Sequence, residues 1–143
     1  MDIKNMVDYL LTCPFMGEFA TELFTELTGD EVSQSGLFDD GEQLPERADM
    51  SGNKLLPHRY ALVARISSTR DTDRIRAANF SQRFMEWIDQ QERLGHYPVV
   101  PTNYQAFSIS ASNGRLTARA QDGKTALYEI PIVFKYWRFV NNA

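Results

Sequence analysis

Apolar residues recur at Ile3, Met6, Val7, Leu10 and Leu11, a spacing of i, i+3, i+4, i+7 and i+8 that lines them along one helical face. The helix should stop near Thr12, because Pro14 disfavours helical geometry in Cys13 and has no backbone N–H to donate. Pro14 then suits the first position of a second helix, with Phe15, Phe19, Leu23 and Leu27 as its stripe and Gly29 as its stop. Glu18, Glu22 and Glu26 fall on a different, solvent-facing side of that helix.

Residues 30–53 are rich in Gly, Asp, Glu and Ser, and a wholly structureless loop of that length would be unusual in a compact domain, so short strands are expected within it. Ser51-Gly52-Asn53 reads as a turn, with a short strand over 44–50 entering and a longer one leaving. In the leaving strand Tyr60, Leu62, Ala64 and Ile66 alternate with Ala61, Val63, Arg65 and Ser67. Residues 67–78 are polar and charged, compatible with either a short helix or a loop. Asn79 is placed to cap a third helix, with Phe80, Phe84, Trp87, Ile88 and Gln91 on one face and Gly95 at its end. Past Pro98 and Pro101 comes a strand over 105–111, then Asn113-Gly114, a polar connection to Asp122-Gly123, and a last strand over 126–139 about twice the usual length.

That last strand has two apolar faces. Tyr128, Ile130, Ile132, Phe134 and Tyr136 alternate with Leu127, Val133, Trp137 and Phe139, the second set interrupted by Glu129 and Lys135. The domain's own helices can cover one face, so the other predicts a further layer or a neighbouring subunit. The pattern as a whole predicts one α+β domain over 1–143, with a mixed or antiparallel sheet of about four to five strands and three helices on one face. Phe15, Phe19, Leu62, Phe84, Ile88, Ile130 and Phe134 are the expected core.

With 143 residues, 43% of them hydrophobic and 24% charged, the chain can bury a proper core. No apolar run approaches a membrane span, and Asp2 and Lys4 sit in an amphipathic opening unlike a signal peptide, so a soluble intracellular protein without a membrane partner is expected. Cys13 is the only cysteine, which excludes an internal disulfide and a cysteine-rich metal site. It reads as a small apolar residue at a helix junction. Charge is unevenly spread: residues 1–50 hold 12 acidic and 2 basic residues, 51–101 hold 5 and 8, and 102–143 hold 2 and 5, for a net −4. Solvated faces account for most of these charges, but such a dipolar chain also suits head-to-tail assembly. Sequence-specific nucleic-acid binding is disfavoured by a pI near 5.1 and by the lack of a dense basic stripe.

Reactive chemistry is hard to find. His58 follows Pro57 and His96 lies between Gly95 and Pro98, neither in a nucleophile–base motif. No phosphate-binding glycine loop or His-Glu-x-x-His occurs, and Asp39, Asp40 and Glu42 around Gly41 lack EF-hand spacing and read as a polar turn. No catalytic, cofactor-binding or metal-binding residue is therefore assigned, and an enzyme is not expected. Arg115, Arg119 and Lys124 in the connection before the last strand are either a solvated hairpin loop or a contact to a neighbouring subunit or acidic partner. With Lys135 and Trp137 on the second face of that strand, they form the candidate subunit interface.

Four strings carry a family likeness: Tyr9-Leu10-Leu11-Thr12-Cys13-Pro14-Phe15, Arg83-Phe84-Met85-Glu86-Trp87-Ile88-Asp89-Gln90-Gln91, Gly95-His96-Tyr97-Pro98-Val99-Val100-Pro101, and Ala126-Leu127-Tyr128-Glu129-Ile130-Pro131-Ile132. In these core and turn patterns, and in the order of elements, the chain resembles the minor capsid or minor tail proteins of tailed phages and prophages of Gram-positive bacteria. It departs from them in a longer charged insertion over 34–47. The resemblance implies a protein similar to tail terminators: a small α+β subunit that forms a six-membered ring, caps the tail tube protein and meets the head connector or stopper. It implies assembly in the host cytoplasm and a place in the virion, and it brings no catalytic residues. A different neck component, or a small enzyme or regulator built around His58 or His96, are the other classes open at this level.

Overall fold

The computed structural model describes residues 1–19, 35–67, 71–119 and 125–140. Helix α1 spans Ile3–Leu10, with the Asp2 carboxylate accepting from the Lys4 N–H as an N-cap. Met6, Tyr9 and Leu10 are its buried positions. The helix ends two residues short of Thr12, whose hydroxyl donates to the Tyr9 carbonyl at 2.6 Å. Helix α2, Met16–Phe19, is a single turn that begins two residues past Pro14, and its Met16 joins the core. Leu23, Leu27, Gly29 and the Phe19 side chain, expected to continue it, lie outside the described residues.

Helix α3, Asp71–Leu94, runs for 24 residues. It absorbs most of the charged stretch that could have been a loop, so Asn79 is an interior residue and not its cap. Among the described side chains of the first turns, over 74–79, only Ala77 is buried while Ile75 stays exposed, which is why the apolar period is faint there. Further on, Phe80, Phe84, Trp87 and Ile88 are buried as the spacing predicts. Phe84 lies between Phe80 and Trp87, with ring centroids 5.7 and 6.0 Å away, and Trp87 meets Tyr9 of α1 at 5.5 Å.

Six strands form the sheet: β1 Ser35–Glu42, β2 Arg47–Ala48, β3 Lys54–Ser67, β4 Tyr104–Ala111, β5 Arg115–Arg119 and β6 Thr125–Arg138. Their order is β1-β3-β6-β4, with β2 also beside β3 and β5 also beside β6, and all these pairs are antiparallel. The sheet thus exceeds the four to five strands expected. β1 falls in the stretch over 30–53 where short strands were expected, though its Gly- and Asp-rich pattern gave no bounds, and β5 replaces the polar connection predicted before the last strand. The two 14-residue strands β3 and β6 pair along their whole length, from Lys54 opposite Arg138 to Ser67 opposite Thr125.

The main core lies between α1, α3 and one sheet face. Leu56, Tyr60, Leu62 and Ala64 of β3 meet Tyr128, Ile130, Ile132, Phe134 and Tyr136 of β6 there. The expected core residues Leu62, Phe84, Ile88, Ile130 and Phe134 are all buried in it. Phe15 is half-buried, edge-on to Phe80, with the Arg83 guanidinium 4.3 Å over its ring.

Candidate functional site

Alternation along β6 sends Leu127, Glu129, Pro131, Val133, Lys135 and Trp137 to the sheet face opposite the helices, and each is half-buried. Pairing extends this face across the sheet. Phe38 of β1 stands opposite Ala61, which stands opposite Pro131, while Leu55 stands opposite Trp137 and Gln105 is its other neighbour. Phe107, at a bulge in β4, belongs to the same side by alternation. Phe38 and Phe107 keep 36% and 45% of their surface exposed. Leu55, Ala61 and Val63 are buried without joining the main core, so the second face has an apolar floor of its own.

The predicted interface residues separate on this frame. Lys135 is held by Glu46 at 2.8 Å, two rows from Trp137 along β6. Arg115 is exposed on β5 opposite Glu129, six residues from Lys135, which is about 20 Å along a strand. All three share the second face, but they do not form one cluster. Arg119 ends β5 with its side chain outside the described residues, and Lys124 lies outside them altogether. The segment from Arg115 to Arg119 is a paired strand and not a solvated loop, because its backbone completes the edge of β6. Gly114 anchors its start: its N–H donates to the buried Ser81 hydroxyl of α3 at 2.7 Å.

The sheet edges differ in how they are finished. Along β4, the Ile109 N–H donates to Glu92 Oε2 at 2.5 Å, and the Tyr97 hydroxyl reaches both Glu92 Oε1 at 2.7 Å and the Phe107 carbonyl at 3.3 Å. Burial and the bond to Glu92 push the Tyr97 phenol up to about 12. These contacts occupy backbone groups that an incoming strand would need. No strand among the described residues pairs with the outer edge of β1 or of β5.

Sequence reasoning missed one group. His58, 4% exposed, has Nε2 2.6 Å from Asp39 Oδ1 and Nδ1 2.8 Å from the Tyr136 hydroxyl, which donates to Glu42 Oε1 at 2.6 Å. Arg138 closes the chain by donating to Glu42 Oε2 at 3.2 Å. Tyr60 stacks on the imidazole at 4.4 Å, and its hydroxyl has no hydrogen-bond partner among the described residues. Burial raises both phenols well above the usual range, with the bond to Glu42 adding for Tyr136 and the Asp39 and Glu42 charges adding for Tyr60. The network latches β1 to β3 and β6. Asp39, Asp40 and Glu42, read above as a polar turn, lie on a bulged strand end, where Asp39 also accepts from the Gly41 N–H. The available signal was His58 itself, which shares the alternating inward set with Tyr60 and Leu62; its partners on other strands left no local mark.

His96, the other histidine, lines an open cleft of about 570 Å³ with Tyr9, Thr12, Trp87, Gln91, Gly95 and Tyr97, and its carbonyl accepts from the Tyr9 hydroxyl. A second cleft of about 320 Å³ lies between α3 and β4, lined by Gln82, Met85, Glu86 and Asp89 on one side and Ile109 to Ala111 on the other. His58 lines neither. The described residues hold no group of three His, Cys, Asp or Glu side chains placed to bind a metal, and no helix among them is long and apolar enough to cross a membrane. No protein-family model matches the chain, and a search of curated proteins finds no match.

Proposed function

We propose that this protein is a structural subunit of a tailed-phage virion that acts as a tail terminator: copies form a six-membered ring on the end of the tail tube and present a different surface to the head connector. The family likeness of the sequence suggests the setting. The observation that carries the reading is the second sheet face, where Phe38, Pro131, Val133, Phe107 and Trp137 leave apolar surface half-exposed. A face of this kind supports association with a protein surface. Tube subunits stack by one repeated heterologous contact, so a growing end stays reactive until something with a matching lower surface and a different upper surface covers it. A ring of this chain supplies that change of surface without needing a catalytic group, a cofactor or a membrane.

Deleting the gene in the parent phage is expected to give filled heads without tails, beside separate tubes of uncontrolled length. Heads joined to tails of normal length would eliminate the terminator reading. Tailless heads beside tubes of normal length would transfer the protein to another neck position, as a head-completion or connector component.

A further inference from the structure

Resting on the ring reading, we infer that neighbouring copies join by continuing one β-sheet, the outer edge of β5 in one copy pairing with the outer edge of β1 in the next. Three observations carry this. The first is which edges are open. On the β6 side, Glu92 and Tyr97 occupy outward backbone groups of β4 at Ile109 and Phe107, whereas no strand among the described residues pairs with the outer edge of β5; on the other side, no strand among them pairs with the outer edge of β1, where local side chains, Asp39 and Gln43, reach backbone groups only at the bulged end, at Asp40 and Gly41.

The second is strand parity. Through β1, β3, β6 and β5 the direction alternates at every step, so the sheet is four strands wide along this path and its two edges run oppositely. A β1 strand laid beside the β5 of another copy therefore meets it antiparallel, and the alternation continues unbroken around an assembly.

The third is charge. Asp39 and Glu42 are engaged by His58, Tyr136 and Arg138, so the carboxylate the β1 edge offers is the exposed Asp40, and the β5 edge carries the exposed Arg115 opposite the half-buried Glu129. Pairing β1 with β1 sets carboxylates against carboxylates, and pairing β5 with β5 sets arginines against arginines. Only the heterologous join brings opposite charges together, which blocks two-fold dimers and leaves a head-to-tail contact that closes into a ring or continues as a filament. The occupant of each open edge is thus a second copy of this chain.

The test uses charge exchange and cross-linking on the full chain. Asp40→Lys alone and Arg115→Glu alone are each expected to weaken self-association about tenfold or more, and the two together in one chain to restore it to within a few-fold. Both side chains are exposed, so native folding is expected of each variant, checked by circular dichroism. Independently, a mixture of Asp40→Cys chains and Arg115→Cys chains treated with a short thiol-specific cross-linker should give mixed dimers, with little product from either chain alone; Cys13 is buried and stays silent. Native chains that form rings insensitive to the exchanges, with no 40-to-115 cross-link, would overturn the edge pairing and leave the ring reading standing. Native chains that remain monomeric both at high concentration and on isolated tail tubes would remove both.

Discussion

His58 shows how a single residue can tie three strands of a fold together. It sits among apolar side chains, yet each ring nitrogen has an oxygen within 2.8 Å, supplied by Asp39 and Tyr136. Tyr136→Phe would remove the hydroxyl between His58 and Glu42, leave buried polar groups without partners, and is expected to cost about 1–3 kcal/mol in chemical denaturation. Tyr60→Phe, by contrast, deletes a hydroxyl that has no partner among the described residues and should be neutral or stabilising. Equal losses for the two variants would show that ring packing, not hydrogen bonding, dominates here. The neutral phenols also set an alkaline limit. Tyr9, Tyr60, Tyr97 and Tyr136, four of the six tyrosines, have raised values, chiefly because burial disfavours phenolate. Because the folded values lie above the unfolded one, stability is fully present below about pH 10 and is lost as the pH climbs past it, toward about 12 at Tyr97. Phenolate absorbance from these four should therefore rise only together with loss of circular dichroism. Ionisation of these four near pH 10 with the fold intact would contradict this burial.

At the scale of elements, α3 organises both the core and the sheet edge. Its Phe84 is fully buried against Phe80 and Trp87, and Phe84→Ala is expected to cost about 3–5 kcal/mol. A loss below about 1 kcal/mol would remove the packing described above. The same helix reaches across to Gly114 through Ser81 and so fixes where β5 begins. A Cβ on Gly114 would run into the ring of the buried Tyr128, so only glycine lets the backbone pass this close. Gly114→Ala should destabilise by about 1–3 kcal/mol, and hydrogen exchange should quicken first along β5. Unchanged exchange in β5 would mean that its pairing with β6 does not depend on this anchor.

For the whole molecule, the uneven charge of the chain becomes a spatial asymmetry. Acidic residues from the first fifty positions include the three on β1, at one edge of the sheet, while Arg115 lies on β5 at the other. Salt should therefore weaken the proposed self-association without much change in monomer stability, since exposed charges are screened while the buried apolar core is not. Light scattering across a salt series, paired with thermal unfolding of dilute protein, separates the two effects. Association that strengthens steadily with salt would assign the contact to the apolar face alone.

By itself the sequence determined the elements whose side chains repeat with a clear period: α1, the second half of α3, and the alternating strands β3, β4 and β6, with most of the core residues on them. Local patterning suffices there because each element's buried face is written into its own spacing. Tertiary structure decided the rest. Whether 71–78 is helix depended on Ala77 finding the core, because its charged neighbours carry almost no period of their own. β1 and β5 became strands because β3 and β6 offered long edges to pair with, not because Gly-, Asp- or Arg-rich segments favour extended structure. The partners of His58 came from strands far apart in the chain, and the blocking of β4 by Glu92 and Tyr97 came from the docking of α3. These are non-local choices: only the assembled sheet fixes which backbone groups are already satisfied and which remain open to another chain.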